Sequence, residues 1–529
     1  MKESLNLEAL LRSVSFGTNE KIVTVLVFLL TVYISYQRFW HPLARYPGPF
    51  LASLTDVWQV REWLTGKQPY RLTRLHAKYG PIVRYGPDKL SVTCKDAVQT
   101  VYVRGHKTMP KTEYYNAFGQ PHDPNLFNQR NQADHAVRRR VLLKAFSPQA
   151  VETYEPILDF HTHRLIENIE GHCRDGKSFD LKKTIYHFVC DAISDLMYGE
   201  DLGIQKGNSV DALPDDHTIS LWSAAIGSWP TLQPILSIFL LLFPHPRSWM
   251  SFRNMLGYFL EAKKIVKNRL VAMLNEQCTE RKDILSRIIG LKDSDLENKL
   301  NEANLAAETF GFLIAGIHPP SATMILLFYN LLHNKEVLDK AIAEIDLQLP
   351  PMTPGADVYS RSAVDTKLPY FRNCIKESFR ISPAFTMPLA RRVTQSEGIV
   401  LEGNLVPVGT SVAICNQAFH HNPKIWGDDH NCFHPSRWED EANDELGKLL
   451  MHFGAGGRQC IGKSLALTVI YKTTATLLAR FSFQLVNEKE QQDVEDGLFY
   501  GKLPDQVSVG ISDLKGSLMV KASDRARMQ

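Results

Sequence analysis

The chain has 529 residues and 60.0 kDa, with 44% hydrophobic and 22% charged residues, a balance that excludes a disordered or collagen-like polymer. Lys and Arg number 60 against 57 Asp and Glu, a formal net charge of +3 with no long basic block, which argues against a nucleic-acid partner. The cysteines Cys94, Cys173, Cys190, Cys278, Cys374, Cys415, Cys432 and Cys460 form no C-x-x-C pair, so neither a zinc ribbon nor a disulfide framework is expected.

In chain order, the first element is an apolar stretch. Ile22 to Gln37 carries no charge, and Phe39 and Trp40 extend it past Arg38 to residue 40. At about 1.5 Å per residue a helix of this length just crosses roughly 30 Å of hydrocarbon. The expectation is a single-pass membrane anchor over residues 22–40, preceded by a lumenal leader segment at 1–21. A cleaved signal peptide is the alternative, but Trp40-His41-Pro42 follows in place of a small-x-small cleavage site. Residues 41–50 hold three prolines and read as a stiff, extended hinge, one that either orients the body over the membrane or simply links to it.

Residues 51–529 show no repeat and no low-complexity segment and read as one body. Strand-like runs occur at Ile82–Tyr85, Leu90–Thr93, Gly398–Leu401 and Ser411–Cys415, each with Gly or Pro nearby. Helical periodicity spans Ser251–Gln277, Glu302–Asn334 and Ile461–Phe481. The apolar patch Ile235–Phe243 is too short to span a bilayer and is either a core piece or a loop at the membrane interface. The predicted class is mainly α with small β-sheets.

The most informative stretch is Phe453-Gly-Ala-Gly-Gly-Arg-Gln-Cys-Ile-Gly462, directly ahead of a helical run. Its glycines let the backbone turn tightly and approach a flat ligand. Cys460 sits at a helix start, where N–H groups and the dipole favour thiolate over thiol. Gly462 leaves room for a ring, and Arg458 offers a fork for a carboxylate. A thiolate beside such a cation suits a haem iron with a sulfur ligand. A phosphate loop is excluded because no Gly-Lys-Ser/Thr follows.

Phe453, Gly456, Arg458, Cys460 and Gly462 together resemble the cysteine signature of the cytochrome P-450 superfamily. Glu377-Ser-Phe-Arg380 resembles the family's Glu-x-x-Arg, and Phe433-His-Pro-Ser-Arg-Trp438 its meander. The resemblance implies a buried ion network of Glu377, Arg380 and Arg437 behind the haem. It also implies that Arg139, with His135 four residues before it, and Arg391, or its neighbour Arg392, hold the haem propionates. Tyr46-Pro-Gly-Pro-Phe50 and the Phe371–Arg380 region look closest to fungal microsomal members.

One segment departs from that pattern. Ala315-Gly316-Ile317-His318-Pro319-Pro320-Ser321 matches the family's oxygen-binding helix at Ala315 and Gly316. His318 stands where an acid is usual, and Pro319 where a threonine hydroxyl helps deliver protons to dioxygen. Three readings follow. His318 or Ser321 with water carries the protons, or the substrate's own hydroxyl does, or the enzyme performs a redox-neutral rearrangement, dehydration or cyclisation. A helix that merely tolerates the change is the bland alternative. Pro319 and Pro320 lack N–H groups, so the carbonyls of Ala315 and Gly316 lose their helical partners and a kink is expected.

The resemblance implies haem b as cofactor, with iron on Cys460. It further implies dioxygen as co-substrate and electrons from NADPH through a separate NADPH–cytochrome P-450 reductase, with cytochrome b5 as a further donor. The expected setting is the endoplasmic reticulum, with the catalytic domain in the cytosol. The expected activity is monooxygenation of a lipophilic small molecule in fungal secondary metabolism. Pocket residues are expected around Tyr114–Gln120, Phe310–Pro320 and Ala384–Leu389, with Phe310, Ile317, Phe385, Met387 and Leu389 giving an apolar wall.

Overall fold

The computed structural model describes residues 18–119, 123–209, 216–235, 238, 246–274, 283–291, 301–440, 444–486 and 503–525. Of the apolar patch at 235–243 only Ile235 and Ile238 fall among these, and both are exposed. Residues 1–17, Gln120 and Cys278 lie outside the described residues.

The N-terminal helix α1 (Thr18–Ser35) continues through Trp40 as a π-turn. The run Asn19–Trp40 covers 22 residues at mean hydropathy 1.7 with almost none of its surface covered, long and apolar enough to cross a membrane. Its end is tied to the body. Arg84, buried in the first strand, donates from Nη1 to the Gln37 carbonyl (2.9 Å) and from Nη2 to Gln37 Oε1 (2.7 Å) and the Pro87 carbonyl (2.7 Å). The Tyr33 hydroxyl reaches the Leu54 carbonyl at 2.6 Å. Burial, which strips water from the charge, pushes the Arg84 guanidinium down to about 10.

The largest sheet joins β1 (Ile82–Gly86), β2 (Lys89–Val92), β3 (Arg391–Arg392) and β4 (Ser411–Ile414) in the order β1-β2-β4-β3. β1 and β2 form an antiparallel hairpin, β2 runs parallel to β4 with Leu90 opposite Val412, and β3 adds antiparallel at the edge. β2 and β4, the two central strands, are buried along their length, the buried Lys89 of β2 being paired with Asp56 at 2.7 Å. This pairing brings Arg391 to the sheet's inner edge. Ile399–Leu401 forms a separate hairpin with Asn404–Val406.

Helices carry the rest: α2 (Gln132–Leu142), α3 (Leu181–Tyr198), α4 (Glu302–Leu332), α5 (Pro369–Ile381) and α6 (Lys463–Arg480). Three of the starts have a clear chemical reason. Asn131 caps α2 by accepting from Ala133 N and Asp134 N, Asn301 caps α4 by accepting from Asn304 N at 2.8 Å, and Pro369 opens α5 at its first turn. α4 is apolar nearly all round because it is the central post, packed against α3, α5 and α6. It runs as one α-helix through Pro319 and Pro320. The molecule is mostly helical with small sheets, as the periodicity predicts.

Two cores result. The larger surrounds α4 and includes Leu196, Leu326, Phe328, Phe371 and Val469. The smaller lies under the sheet and includes Leu90, Val412, Trp426 and Met451. Residues from both, among them Phe146 and Ile193 of the first and Tyr102 and Leu389 of the second, border a single cavity.

Candidate active site

The cavity measures about 620 Å³ and is mostly apolar. One wall is the loop before α6. Gly454 and Gly456 adopt φ of +69° and +67°, the left-handed region that costs glycine nothing. A Cβ on Gly456 would lie 2.0 Å from the Tyr102 carbonyl oxygen, so the loop closes on that backbone only because the position is glycine. Gly456→Ala should therefore destabilise the protein by about 2 kcal/mol, read as a lower denaturant midpoint. The Cys460 N–H donates to the Phe453 carbonyl at 2.8 Å, which fixes the thiol's position at the cavity wall. Helix α6 begins at Lys463, two residues later than the sequence pattern suggests, with Gly462 before it. A Cβ on Gly462 would stand 3.9 Å from Cys460 Sγ, inside the space above the sulfur.

Cys460 is a free thiol open to the cavity but enclosed by protein. Burial pushes it up, and the Gly462 N–H, Arg139 and Lys463, all of which favour thiolate, do not offset that. The expected thiolate-favouring effect of the helix start is present but outweighed. A coordinated metal ion would ionise such a sulfur outright.

Cations gather at the cavity's edge. Lys111, Arg139, Arg391 and Arg458 all line it, and none has a carboxylate partner among the described residues. Arg458 donates to the Gln129 carbonyl at 2.5 Å, and burial followed by the nearby Arg391 pushes it down to about 10. Lys111 bonds the Phe127 carbonyl, and burial holds its ammonium well below the usual range. Burial and then Arg458, Lys111, Arg139 and Arg391 drive His135 down to about 2, so it faces the cavity neutral. Arg392 is spoken for by Asp88 (2.5 Å) and Glu113 (2.6 Å), which separates it from Arg391. Four cations without counter-ions are costly unless something anionic completes them. A flat group with two carboxylates at its rim and a metal facing Cys460 fits this setting.

Behind the loop, Glu377 on α5 is fully buried and receives Arg380 Nε (3.0 Å) and Nη2 (2.7 Å), Trp438 Nε1 (3.0 Å) and Arg437 Nε (3.5 Å). Arg380 also donates to the carbonyls of His420 (3.0 Å), His430 (2.6 Å) and Cys432 (3.0 Å). The network does not touch the cavity but pins the segment leading to it. Phe379 of α5 stacks on His452 at 3.8 Å and meets Phe453 edge-on at 5.6 Å.

The opposite wall is α4. Gly311, Ala315, Gly316, Pro319, Pro320 and Thr323 line the cavity, the four-residue rhythm of one helix face. That phase corrects three expected site residues. His318 and Ser321 are buried away from the cavity, with Ser321 Oγ bonded to the His318 carbonyl at 2.8 Å, and Ile317 belongs to the main core. The hydroxyl that does face the cavity is Thr323, donating to the Pro319 carbonyl at 2.7 Å. Phe310, Phe385, Met387 and Leu389 line the cavity; Tyr114 packs behind it, against Trp63 and Tyr115. Lys111 and Thr323 escape the motif reading, although Thr323 continues the spacing from Ala315 and Pro319.

A helical body with a cysteine and a carboxylate-binding rim facing one apolar cavity defines a haem-thiolate protein. The family model for cytochrome P450 matches residues 47–509, and the chain belongs to that family, whose members are iron proteins with a cysteine axial ligand. It is an oxidoreductase of the monooxygenase type. Similar fungal proteins include pisatin demethylase of Fusarium vanettenii, 27% identical over 88% of this chain and 89% of that protein. Cytochrome P450 monooxygenase BipB of Cochliobolus sativus is 28% identical over 88% of this chain and 90% of its own. Cytochrome P450 monooxygenase gsfF of Penicillium aethiopicum is 28% identical over 95% of this chain and 100% of its own.

Proposed function

We propose that Cys460 ligates the haem iron and that the chain oxidises a lipophilic small molecule in fungal secondary metabolism. Electrons come from NADPH through a separate reductase, with cytochrome b5 as a further donor, at the endoplasmic reticulum membrane. The observation that carries this reading is the union, on one cavity, of the Cys460 loop with four cations that have no carboxylate partner among the described residues. When bound, haem supplies dioxygen activation and redox chemistry. Cys460 would hold the metal, while Arg139, Arg391, Arg458 and Lys111 would hold the propionates. The Phe310, Phe385 and Leu389 wall keeps water out and seats an apolar substrate. The apolar run 19–40 supports membrane attachment.

Proton supply is where this chain is unusual. With His318 and Ser321 turned away, the cavity face of α4 at Ala315–Pro320 carries no side-chain hydroxyl. It carries instead the carbonyls of Ala315 and Gly316, which have no N–H four residues on. These hold a water by one of its hydrogens, and its second hydrogen is then the proton supplied; a substrate hydroxyl would instead supply its own proton without bonding to these carbonyls. Pro319→Thr should raise the fraction of NADPH consumption that ends in product and lower hydrogen peroxide release. Unchanged coupling in a protein with little peroxide release would show that no side-chain hydroxyl is needed.

Pro319 also favours a second reading, redox-neutral rearrangement. Incubation of membranes with precursor under heavy-isotope dioxygen, with and without NADPH and reductase, decides between the two. Label incorporation or loss of two hydrogens with NADPH supports oxidation, and a product of unchanged mass or lost water without NADPH supports the second.

A further inference from the structure

The loop 123–128 leans on α4, and its attachment is thoroughly built. Leu126 N donates to Glu308 Oε2 at 2.8 Å, Asn125 N donates to Asn128 Oδ1 at 2.7 Å, and Gln129 N closes onto the Asn125 carbonyl at 2.9 Å. The Asn125 side chain is oriented by this turn. Its Oδ1 accepts from Phe127 N (3.0 Å) and Asn128 N (3.1 Å), so two fixed N–H donors decide which end of the amide is oxygen. The amide nitrogen is thereby turned the other way, against α4. There it occupies the notch of Gly311, where a Cβ would come within 2.9 Å of Nδ2.

Asn125 and Gly311 both line the cavity, and Nδ2 has no hydrogen-bond acceptor among the described residues. Gly311 lies five residues before Gly316, roughly 7 Å along the helix axis. Of the neighbouring carboxylates that line the cavity, Asp123 accepts from Asn304 and Glu308 from Leu126 and Arg138. The half-buried Asn125 NH2 therefore faces the cavity, and a ligand that displaced water without offering an acceptor would leave it unpaired.

We propose that Asn125 Nδ2, seated in the Gly311 notch, is a specificity-determining donor that binds a ketone, lactone or ether oxygen of the substrate. The substrate class is then a lipophilic ring compound with an acceptor oxygen remote from the carbon that reacts. This rests on the haem-thiolate reading of the cavity, and the test separates the two.

The probes are fluorenone and fluorene, of nearly equal shape and differing by one carbonyl, measured by equilibrium dialysis with the full-length haem-loaded protein. Fluorenone should bind about threefold to tenfold more tightly, the range of one neutral hydrogen bond. Asn125→Asp keeps the oxygen that accepts from Phe127 and Asn128 and replaces the donor, so the loop is retained and the preference should vanish. Gly311→Ala, which pushes Nδ2 out of its notch, should reduce it as well. Equal affinities in the unaltered protein, absence of measurable binding by both probes, or a preference that survives Asn125→Asp overturns the proposal. The reduced carbon-monoxide spectrum is recorded on each sample. If it lacks the form typical of thiolate haem in the unaltered protein, the haem-thiolate reading falls and this proposal with it. With that form present, the dialysis result bears on Asn125 alone.

Discussion

Cys460→Ala should fold, retain the α-helical circular dichroism of the parent, and lose both turnover and the reduced carbon-monoxide spectrum typical of thiolate-bound haem. The fold survives because what shapes the loop is main chain. The Cys460 N–H to Phe453 bond and the left-handed glycines at 454 and 456 do not involve the thiol. What disappears is the sulfur that faces the cavity, and among the described residues no other cysteine lines it. The rim cations remain, so haem content measured separately should fall less than activity. An unchanged carbon-monoxide spectrum in this variant would remove Cys460 from the iron.

Glu377→Ala should cost about 3–5 kcal/mol, against total stabilities of roughly 5–15 kcal/mol for folded domains, and the protein should be recovered largely without haem. The carboxylate is fully buried and takes Arg380, Arg437, Trp438 and the His434 N–H; its removal leaves the fully buried Arg380 guanidinium without a carboxylate, whereas Arg437 keeps Asp429 at 2.6 Å. The contrast with Glu261 and Lys264 calibrates the effect. That pair has the same three-residue spacing and a 3.0 Å contact, but both side chains are more than half exposed, so Glu261→Ala should change stability by under about 1 kcal/mol. Chemical denaturation of the two variants side by side checks both figures. Equal losses would mean that burial is not what gives the Glu377 network its weight.

That pair of ion pairs also explains which parts of the site are legible in a sequence. Glu377-x-x-Arg380 and Glu261-x-x-Lys264 look alike as spacing, and only the neighbouring motifs mark the first as buried. The Cys460 loop is readable because its logic is local, with glycines, cysteine and helix start within ten residues. Arg391 could not be told from Arg392 until β3 was seen beside β4, which sends one into the cavity and the other to Asp88 and Glu113. On α4 the motif is visible but its phase is not. His318 and Ser321 have suitable chemistry on the wrong face, while Thr323 has it on the right one. Lys111 and Asn125 gain their meaning from contacts with Phe127, Glu308-bound Leu126 and Gly311, separations over which periodicity carries no information. The same limit applies to the fold. Long helices and the strands near 82, 90, 399 and 411 follow local pattern, but the parallel pairing of β2 with β4 across more than three hundred residues does not.

Arg84 has a practical consequence for anyone preparing this enzyme without its N-terminal apolar helix. A soluble form cut after residue 40 discards Gln37, whose carbonyl and Oε1 take two of the guanidinium's bonds, and leaves the cation with the Pro87 and Ser53 carbonyls and the His41 ring. A cut just ahead of Tyr33 removes most of the apolar surface while keeping both Gln37 contacts and the Tyr33 latch onto Leu54. The longer truncate should melt higher than the shorter one. The contacts of the folded body thus reach back into the apolar helix as far as Tyr33, several residues before hydropathy alone would end that helix.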